Sequence, residues 1–515
     1  MIQQNYYFKN LKKFIKSSLQ SHQILHIKLS MNQIGDSDKQ ASVLGSSLKN
    51  CTNLSNLILD LNYNQISDKG VSYLGFGLAN CTNLSNLTLD LSQNEISDKG
   101  VSCLCSGLAN CTNLSKLTIY LSENQISDEG VSCLGFALAN CTNLSNLTIY
   151  LCSSEIGVIG ASGLCSGLAN CAQISNLTLD LRYNEIGDKG SSSLGANLAN
   201  CTNLSNFSLN VYRNQIGDEF ASGLSSVITN CTNLTNLVLN LSFNKIGAIG
   251  AQSLGSGLAN RTNLSNLTLD IESNEINATG ASGLGYGLAK CTSMSNFTLN
   301  LNFNKIGDEG ALALGSSLAN CTNLQNLELY LLSNKIGDQG ASGLGSGLAN
   351  CTNLSNLELN LSRNKIGDKG VLAFGSGIAK CTNLSNFSLN LDDNQISCKG
   401  APGLGYCLSN CTKLSILRLG LSNNEIEDEG AQGLGYALAN CTNLINLNLD
   451  LGSSFVSDEG VLGLGFGLVN CKNLLILTLT TDDLEFDRSQ ELKVKSKYLK
   501  SKRLVDLVLD IYEIM

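Results

Sequence analysis

A thirty-residue unit repeats along this chain without losing register. One copy is Cys81 to Asn110, CTNLSNLTLDLSQNEISDKGVSCLCSGLAN. Fifteen copies begin at Cys51 and at every thirtieth residue through Cys471, with Arg261 in place of one Cys. A looser copy precedes them at Ser21, and a shortened one follows from Ser501. A fixed period of this length constrains the chain to a solenoid, in which each unit contacts mainly its neighbours.

Numbering the unit from its Cys, apolar residues fall at positions 4, 7, 9 and 11, as in Leu84, Leu87, Leu89 and Leu91. Positions 7 to 11 alternate with polar residues, the period of a strand with one buried face. Asn usually holds position 14 (Asn94), an apolar residue position 16 (Ile96), Asp position 18 (Asp98) and Gly position 20 (Gly100). Leu104 and Leu108, at positions 24 and 28, have the i, i+4 spacing of a helical stripe. The preceding Asp suits the N-cap of that helix, and Asn at position 30 suits a left-handed C-cap. Each unit therefore reads strand, turn, helix, return loop, and stacking supplies the core that one unit lacks.

Residues Ile24, Ile27, Leu29, Asn32 and Ile34 give LxxLxLxxNxI, which resembles the leucine-rich repeat, and the long helical half is similar to its ribonuclease-inhibitor subtype. The resemblance covers roughly residues 21–515. Later copies read LxxLxLxLxxNxI, as in Leu54, Leu57, Leu59, Leu61, Asn64 and Ile66. Two inserted residues predict a longer strand or a wider turn. The resemblance implies an α/β leucine-rich-repeat horseshoe, with a parallel sheet on the concave face, helices on the convex face, and protein binding on the former.

At 515 residues a globular chain would divide into several domains, whereas a solenoid core grows in one dimension. The expected organisation is one continuous domain: a cap helix over 1–20, the array over 21–470, and degenerate repeats with a cap over 471–515. A net charge of −9 disfavours nonspecific binding to nucleic acid or anionic membrane. No apolar run reaches the ~20 residues of a membrane span. Fourteen of the 21 cysteines hold position 1, one per rung. Pairing rungs would add nothing to their stacking, so a ladder of buried thiols in a reducing, cytoplasmic setting is expected. Asn-x-Thr matches such as Asn86-Leu87-Thr88 recur because the unit recurs.

In 1–20, Leu11, Phe14, Ile15 and Leu19 share one helical face, and Lys9, Lys12, Lys13 and Lys16 leave no signal-peptide apolar core. A helix covering the first rung is expected; contact of a basic amphipathic helix with a membrane or partner is the other reading. Gly at positions 25 and 27, as in Gly75 and Gly77, costs helix stability. Close helix packing accounts for it, with loosened helices as the alternative. Ser154 and Val158 break the pattern in one unit, and Ala248 and Ala278 replace Asp in two others, marking soft spots. Beyond Cys471, Asp482, Asp483 and Asp487 precede a Lys-rich stretch through Lys502, and Leu504 to Ile511 form a last strand. A chain stopping there also fits a fragment of something longer.

Chemistry is sparse. The two histidines, His22 and His26, read as surface or edge residues, and neither begins a kinase catalytic-loop motif. No CxxC or HExxH occurs, and the recurring Gly-x-Gly has no following Lys-Ser/Thr. No catalytic residue, metal ligand or cofactor is expected. Function is then sought at positions 8, 10, 12 and 13, on the exposed sheet face. Rungs lie about 4.8 Å apart, so Arg182, Tyr183, Tyr212, Arg213 and Phe243 become neighbours, with Phe303 further along and Tyr120, Tyr150 and Tyr330 in the position-10 row. Tyr and Arg dominate binding hot spots, and these residues are the candidate partner-binding site; drift of solvent-facing positions is the alternative. The expected protein is a monomeric, non-enzymatic scaffold for an unidentified protein. The alternatives are a small-GTPase regulator similar to leucine-rich Ran GTPase-activating proteins, or the repeat region of a larger receptor or kinase.

Overall fold

Leucines alternating with polar residues form five-residue strands, and the 24/28 stripe forms the helices that cover them. The computed structural model describes residues 5–32, 34, 39–482 and 506–512. Its contacts separate two units, Met1–Ile246 and Gly247–Met515. In the first, strands β1 (Asn5–Phe8), β2 (Ile24–Lys28), β3 (Asn56–Asp60), β4 (Asn86–Asp90), β5 (Lys116–Tyr120), β6 (Asn146–Tyr150), β7 (Asn176–Asp180), β8 (Asn206–Asn210) and β9 (Asn236–Asn240) pair in parallel, each with the next. Its helices are α1 (Leu11–Ile15), α2 (Lys39–Leu48), α3 (Asp68–Leu78), α4 (Asp98–Leu108), α5 (Asp128–Leu138), α6 (Val158–Leu168), α7 (Ser192–Leu198) and α8 (Asp218–Asn230). In the second, β10 (Asn266–Asp270), β11 (Asn296–Asn300), β12 (Asn326–Tyr330), β13 (Asn356–Asn360), β14 (Asn386–Asn390), β15 (Ile416–Gly420), β16 (Asn446–Asp450), β17 (Ile476–Asp482) and β18 (Asp506–Tyr512) continue the same parallel pattern. They alternate with α9 (Ala248–Leu258), α10 (Ala278–Leu288), α11 (Gly307–Leu318), α12 (Asp338–Leu348), α13 (Asp368–Ile378), α14 (Gly400–Leu408), α15 (Glu427–Leu438) and α16 (Asp458–Leu468).

Partners sit thirty residues apart, as Leu87 does from Leu117. The core between sheet and helices takes Leu87, Leu89 and Leu91 from one layer and Leu104 and Leu108 from the other, all buried. The position-1 cysteines are buried with free thiols, and their Sγ–H groups donate along the stack, as Cys81 does to the Leu48 carbonyl at 3.4 Å. Burial pushes the Cys141 thiol up to about 11.

Two polar side chains join each unit to its neighbours. Asn94 Oδ1 accepts from the N–H groups of Asn64 (3.1 Å) and Ile66 (2.9 Å) in the preceding unit. Its Nδ2 donates to the carbonyls of Leu61, Leu91 and Ser92 at 2.9–3.1 Å. A half-buried amide is thereby fully satisfied. At Ser154 the ladder is broken, and the hydroxyl has no hydrogen-bond partner among the described residues. The position-18 Asp departs from expectation: it caps the next unit's helix, not its own. Asp98 Oδ1 accepts from the N–H groups of Ser127 (2.8 Å) and Gly130 (2.9 Å), at the start of α5. Asp98 is the first residue of α4, whose own cap is Ser97. Sitting inside the helix, its carboxylate reaches the neighbouring helix start.

Where that Asp is missing, the following unit changes shape. Val158, Ala278 and Cys398 precede units whose position 17 turns left-handed: Gly187 (φ 65°), Gly307 (φ 59°) and Glu427 (φ 57°). Their N–H groups go to the carbonyls of Asn214, Asn334 and Ser454 at 2.9–3.0 Å. After Ala248, by contrast, Asn277 stays extended and caps its own helix through Gly280 N–H at 3.1 Å.

Other expectations need correction. Asn80, at position 30, is not left-handed; its Nδ2 donates to the Phe76 carbonyl at 3.0 Å, satisfying a helix-end acceptor directly. Left-handed backbone falls at position 13, as Tyr63 at φ 58°, and in some units also at position 15, as Gln65 at φ 55°. The two-residue insertion is also absent. Strand pairing aligns Leu25 and Ile27 with Leu57 and Leu59, and Asn32 N–H donates to Asn64 Oδ1 at 2.9 Å, so the first copy follows the later pattern. His22 then occupies position 4, a core leucine in other units. It is 1% exposed, packed against Tyr6, Phe8 and Phe14, with Nε2 2.8 Å from Ser17 Oγ. His26 lies on β2 with its ring 4.7 Å from Tyr7.

Residues 1–20 hold helix α1, capped by Asn10 and burying Phe14, together with a strand, β1, that extends the sheet. Beyond β17, Asp483, Asp487 and the Lys-rich stretch through Lys502 lie outside the described residues.

Candidate partner-binding surface

The sheet face turned away from the helices carries positions 8 and 10, and positions 12 and 13 follow at its rim. A left-handed residue without glycine is strained, yet position 13 holds Tyr183 (φ 56°), Arg213 (φ 53°) and Phe243 (φ 55°). Tyr183 N–H donates to the Tyr212 carbonyl at 2.9 Å and Arg213 N–H to the Ser242 carbonyl at 3.2 Å.

Tyr183, Tyr212, Arg213 and Phe243 come together. The Tyr212 ring packs edge-on against those of Tyr183 and Phe243, both at 5.1 Å. The Arg213 guanidinium lies 5.9, 5.5 and 5.1 Å from the ring centres of Tyr183, Tyr212 and Phe243. Exposed contacts of this kind contribute roughly 0.5–1 kcal/mol each, so three hold the cation in place without removing it from solvent. Tyr183 and Phe243 remain exposed. Arg182 turns aside: its Nε is 3.1 Å from Asp180 Oδ2. Tyr120 and Tyr150, paired across β5 and β6, stack at 4.5 Å with rings 2° from parallel.

Phe303 and Tyr330 belong to the second unit. Phe303 is exposed, at φ 53°. The Tyr330 hydroxyl donates to Glu358 Oε1 at 3.0 Å, and burial together with Glu358 and Glu328 pushes the phenol up. These glutamates border a hollow of about 380 Å³, which also includes Thr298, Arg418 and the Asn296, Asn326 and Asn356 row. Asn356 Nδ2 donates to Asn326 Oδ1, and Asn326 Nδ2 to Asn296 Oδ1, both at 2.6 Å. The readable signal was position 8, where Thr298 is followed by Glu328, Glu358, Ser388 and Arg418.

Gly420 leaves a gap in the position-10 row that Asp392 fills. Burial, reinforced by Asp450 and opposed by the Ser422 N–H bond at 2.8 Å, pushes the Asp392 carboxyl up to about 6. A raised carboxyl binds its proton more tightly in the folded state, so its contribution favours folding at acid pH and fades as pH rises from about 4 to 6. Asp392→Asn should therefore stabilise the protein at pH 7 by on the order of 1 kcal/mol, after solvent screening. The gain should vanish by pH 4 in paired thermal melts.

A Leucine Rich repeat family model matches residues 54–75, 83–105, 111–135, 173–195, 230–255, 263–285, 295–315, 353–375 and 411–435. Leucine-rich repeats therefore recur along the chain, and the described residues build them as a parallel sheet alternating with helices. Among solved structures, it is similar to one titled TLR13–ssRNA13 complex, at 15% identity and TM-score 0.32, covering 99% of this chain and 84% of that one. It is also similar to a leucine-rich repeat protein from Bacteroides eggerthii, at 13% identity and TM-score 0.37, covering 97% and 75%. No curated protein matches the sequence. Among the described residues, no helix is long and apolar enough to cross a membrane.

Proposed function

We propose that this protein is a non-catalytic scaffold that binds a protein partner on its exposed sheet face. Its anchor is Arg213 with Tyr183, Tyr212 and Phe243, and the Tyr120–Tyr150 stack lies on the same sheet. The observation that carries this reading is one guanidinium held among three aromatic rings and still open to solvent. Such a group is already ordered, so a partner that covers it loses little side-chain freedom. The ribonuclease-inhibitor-like subtype is supported by the helix in each described unit. The organisation proposed is a cap over 1–20, an array over 21–470 and a closing segment over 471–515. The buried thiol ladder favours a cytoplasmic setting.

The test is affinity capture from native cells, comparing wild type with Arg213→Gly. Glycine removes the side chain and suits the left-handed backbone, so folding should be unaffected. Capture of the partner should fall at least tenfold with an unchanged thermal melt. Equal capture by Arg213→Gly and by Tyr212→Ala would end the proposal.

A further inference from the structure

Seven cysteines lie off the position-1 ladder, and two of them face each other across neighbouring helices. At position 25 the chain of one helix runs against position 23 of the next: a Cβ on Gly75 would come 2.5 Å from the Cys103 carbonyl oxygen. At position 23 the Cβ points back: on Gly163 it would come 2.8 Å from the Ser132 Cβ, at position 22 of the preceding helix. Cys105 holds position 25 on α4, and Cys133 holds position 23 on α5. Accordingly Ser102, Cys105, Cys133 and Phe136 line one cleft of about 240 Å³ between these helices. Both cysteine side chains open on that cleft, the arrangement from which a disulfide, with its ~4.4–6.8 Å Cα separation, can close. Both thiols are free, Cys105 buried and Cys133 partly exposed. Cys103 does not compete, because residues i and i+2 project to different sides of a helix.

We propose that Cys105 and Cys133 are an oxidisable pair that forms a reversible disulfide stapling α4 to α5. The oxidant class is a small disulfide such as oxidised glutathione. The Cys133 thiolate attacks one glutathione sulfur, forming a mixed disulfide and releasing one glutathione thiolate. The Cys105 thiolate then attacks Cys133 Sγ, closing the protein disulfide and releasing the second. Two protein thiols are oxidised and one glutathione disulfide is reduced to two thiols. Burial, with the neighbouring Cys133, pushes the Cys105 thiol up to about 12, which makes the second step the slow one. The ladder thiols are buried and shielded from the oxidant.

The test incubates the reduced full-length protein with oxidised glutathione, then maps linkages by non-reducing peptide mass spectrometry. Wild type should yield a Cys105–Cys133 linked peptide, lose two free thiols at this pair, and revert with dithiothreitol. Cys105→Ser should stop with glutathione on Cys133, and Cys133→Ser should leave Cys105 as a free thiol. A wild-type product that ends as the Cys133–glutathione adduct, a Cys103–Cys133 link, or no thiol loss at the pair would each overturn the proposal.

Discussion

Gly347→Ala should lower stability by about 3 kcal/mol or more, read as a shifted midpoint in denaturant titration. A Cβ there would lie inside contact distance of the Gly315 carbonyl group on α11. The obstacle is backbone, which no rotamer change can move, so α11 and α12 would have to separate and lose packing along their length. The glycines cost each isolated helix stability and are kept because they let neighbouring helices touch. Ala437 supplies the comparison. It occupies the same position in its own unit and is buried, opposite Gly405. Ala437→Gly should cost only about 1 kcal/mol, from helix propensity and a small void. Equal costs for the two substitutions would refute close helix contact as the reason for the glycines.

Asp338→Ala should cost about 2–3 kcal/mol. Its carboxylate accepts from the N–H groups of Gly367 at 2.8 Å and Gly370 at 2.9 Å, and both lose a charged partner at the start of α13. The reverse experiment is Cys398→Asp. That Asp would restore the acceptor for the unit in which Glu427 is left-handed, allowing Glu427 to return to extended backbone. A gain of about 1–2 kcal/mol is expected, because a non-glycine residue leaves the left-handed region and a helix start regains its cap. Both changes are measurable by thermal melts. Destabilisation by Cys398→Asp would show that the left-handed turn is preferred for reasons of its own.

The sequence carried the apolar geometry well. Alternation at positions 7, 9 and 11 and the 24/28 stripe each assign a buried face, and those faces are buried. The polar joints were not readable in the same way. Asp98 could serve its own helix or the next, and with the same spacing recurring from unit to unit the sequence fits both. The register of the first copy is hidden for a related reason: Ile24 and Ile27 mimic the 4/7 spacing, and His22 holds the leucine position. At the candidate surface, neighbouring rungs brought Tyr183, Tyr212, Arg213 and Phe243 together. Arg182, expected in that cluster, is instead drawn to Asp180 at the end of its own strand. The glutamate-lined hollow has a weaker signature, the replacement of threonine at position 8 by Glu328 and Glu358, polar for polar on an exposed face.

The two polar joints run in opposite directions. Asn94 serves the unit before it, and Asp98 serves the unit after it. Each contact between rungs carries both joints, Asn94 reaching back to Asn64 and Ile66 and Asp68 reaching forward to Ser97 and Gly100, so a rung leaving its neighbour gives up both sets of bonds together. Mechanical extension by optical tweezers should therefore give discrete steps of whole rungs, about thirty residues of contour each. Weak rungs such as the one holding Ser154 should yield first.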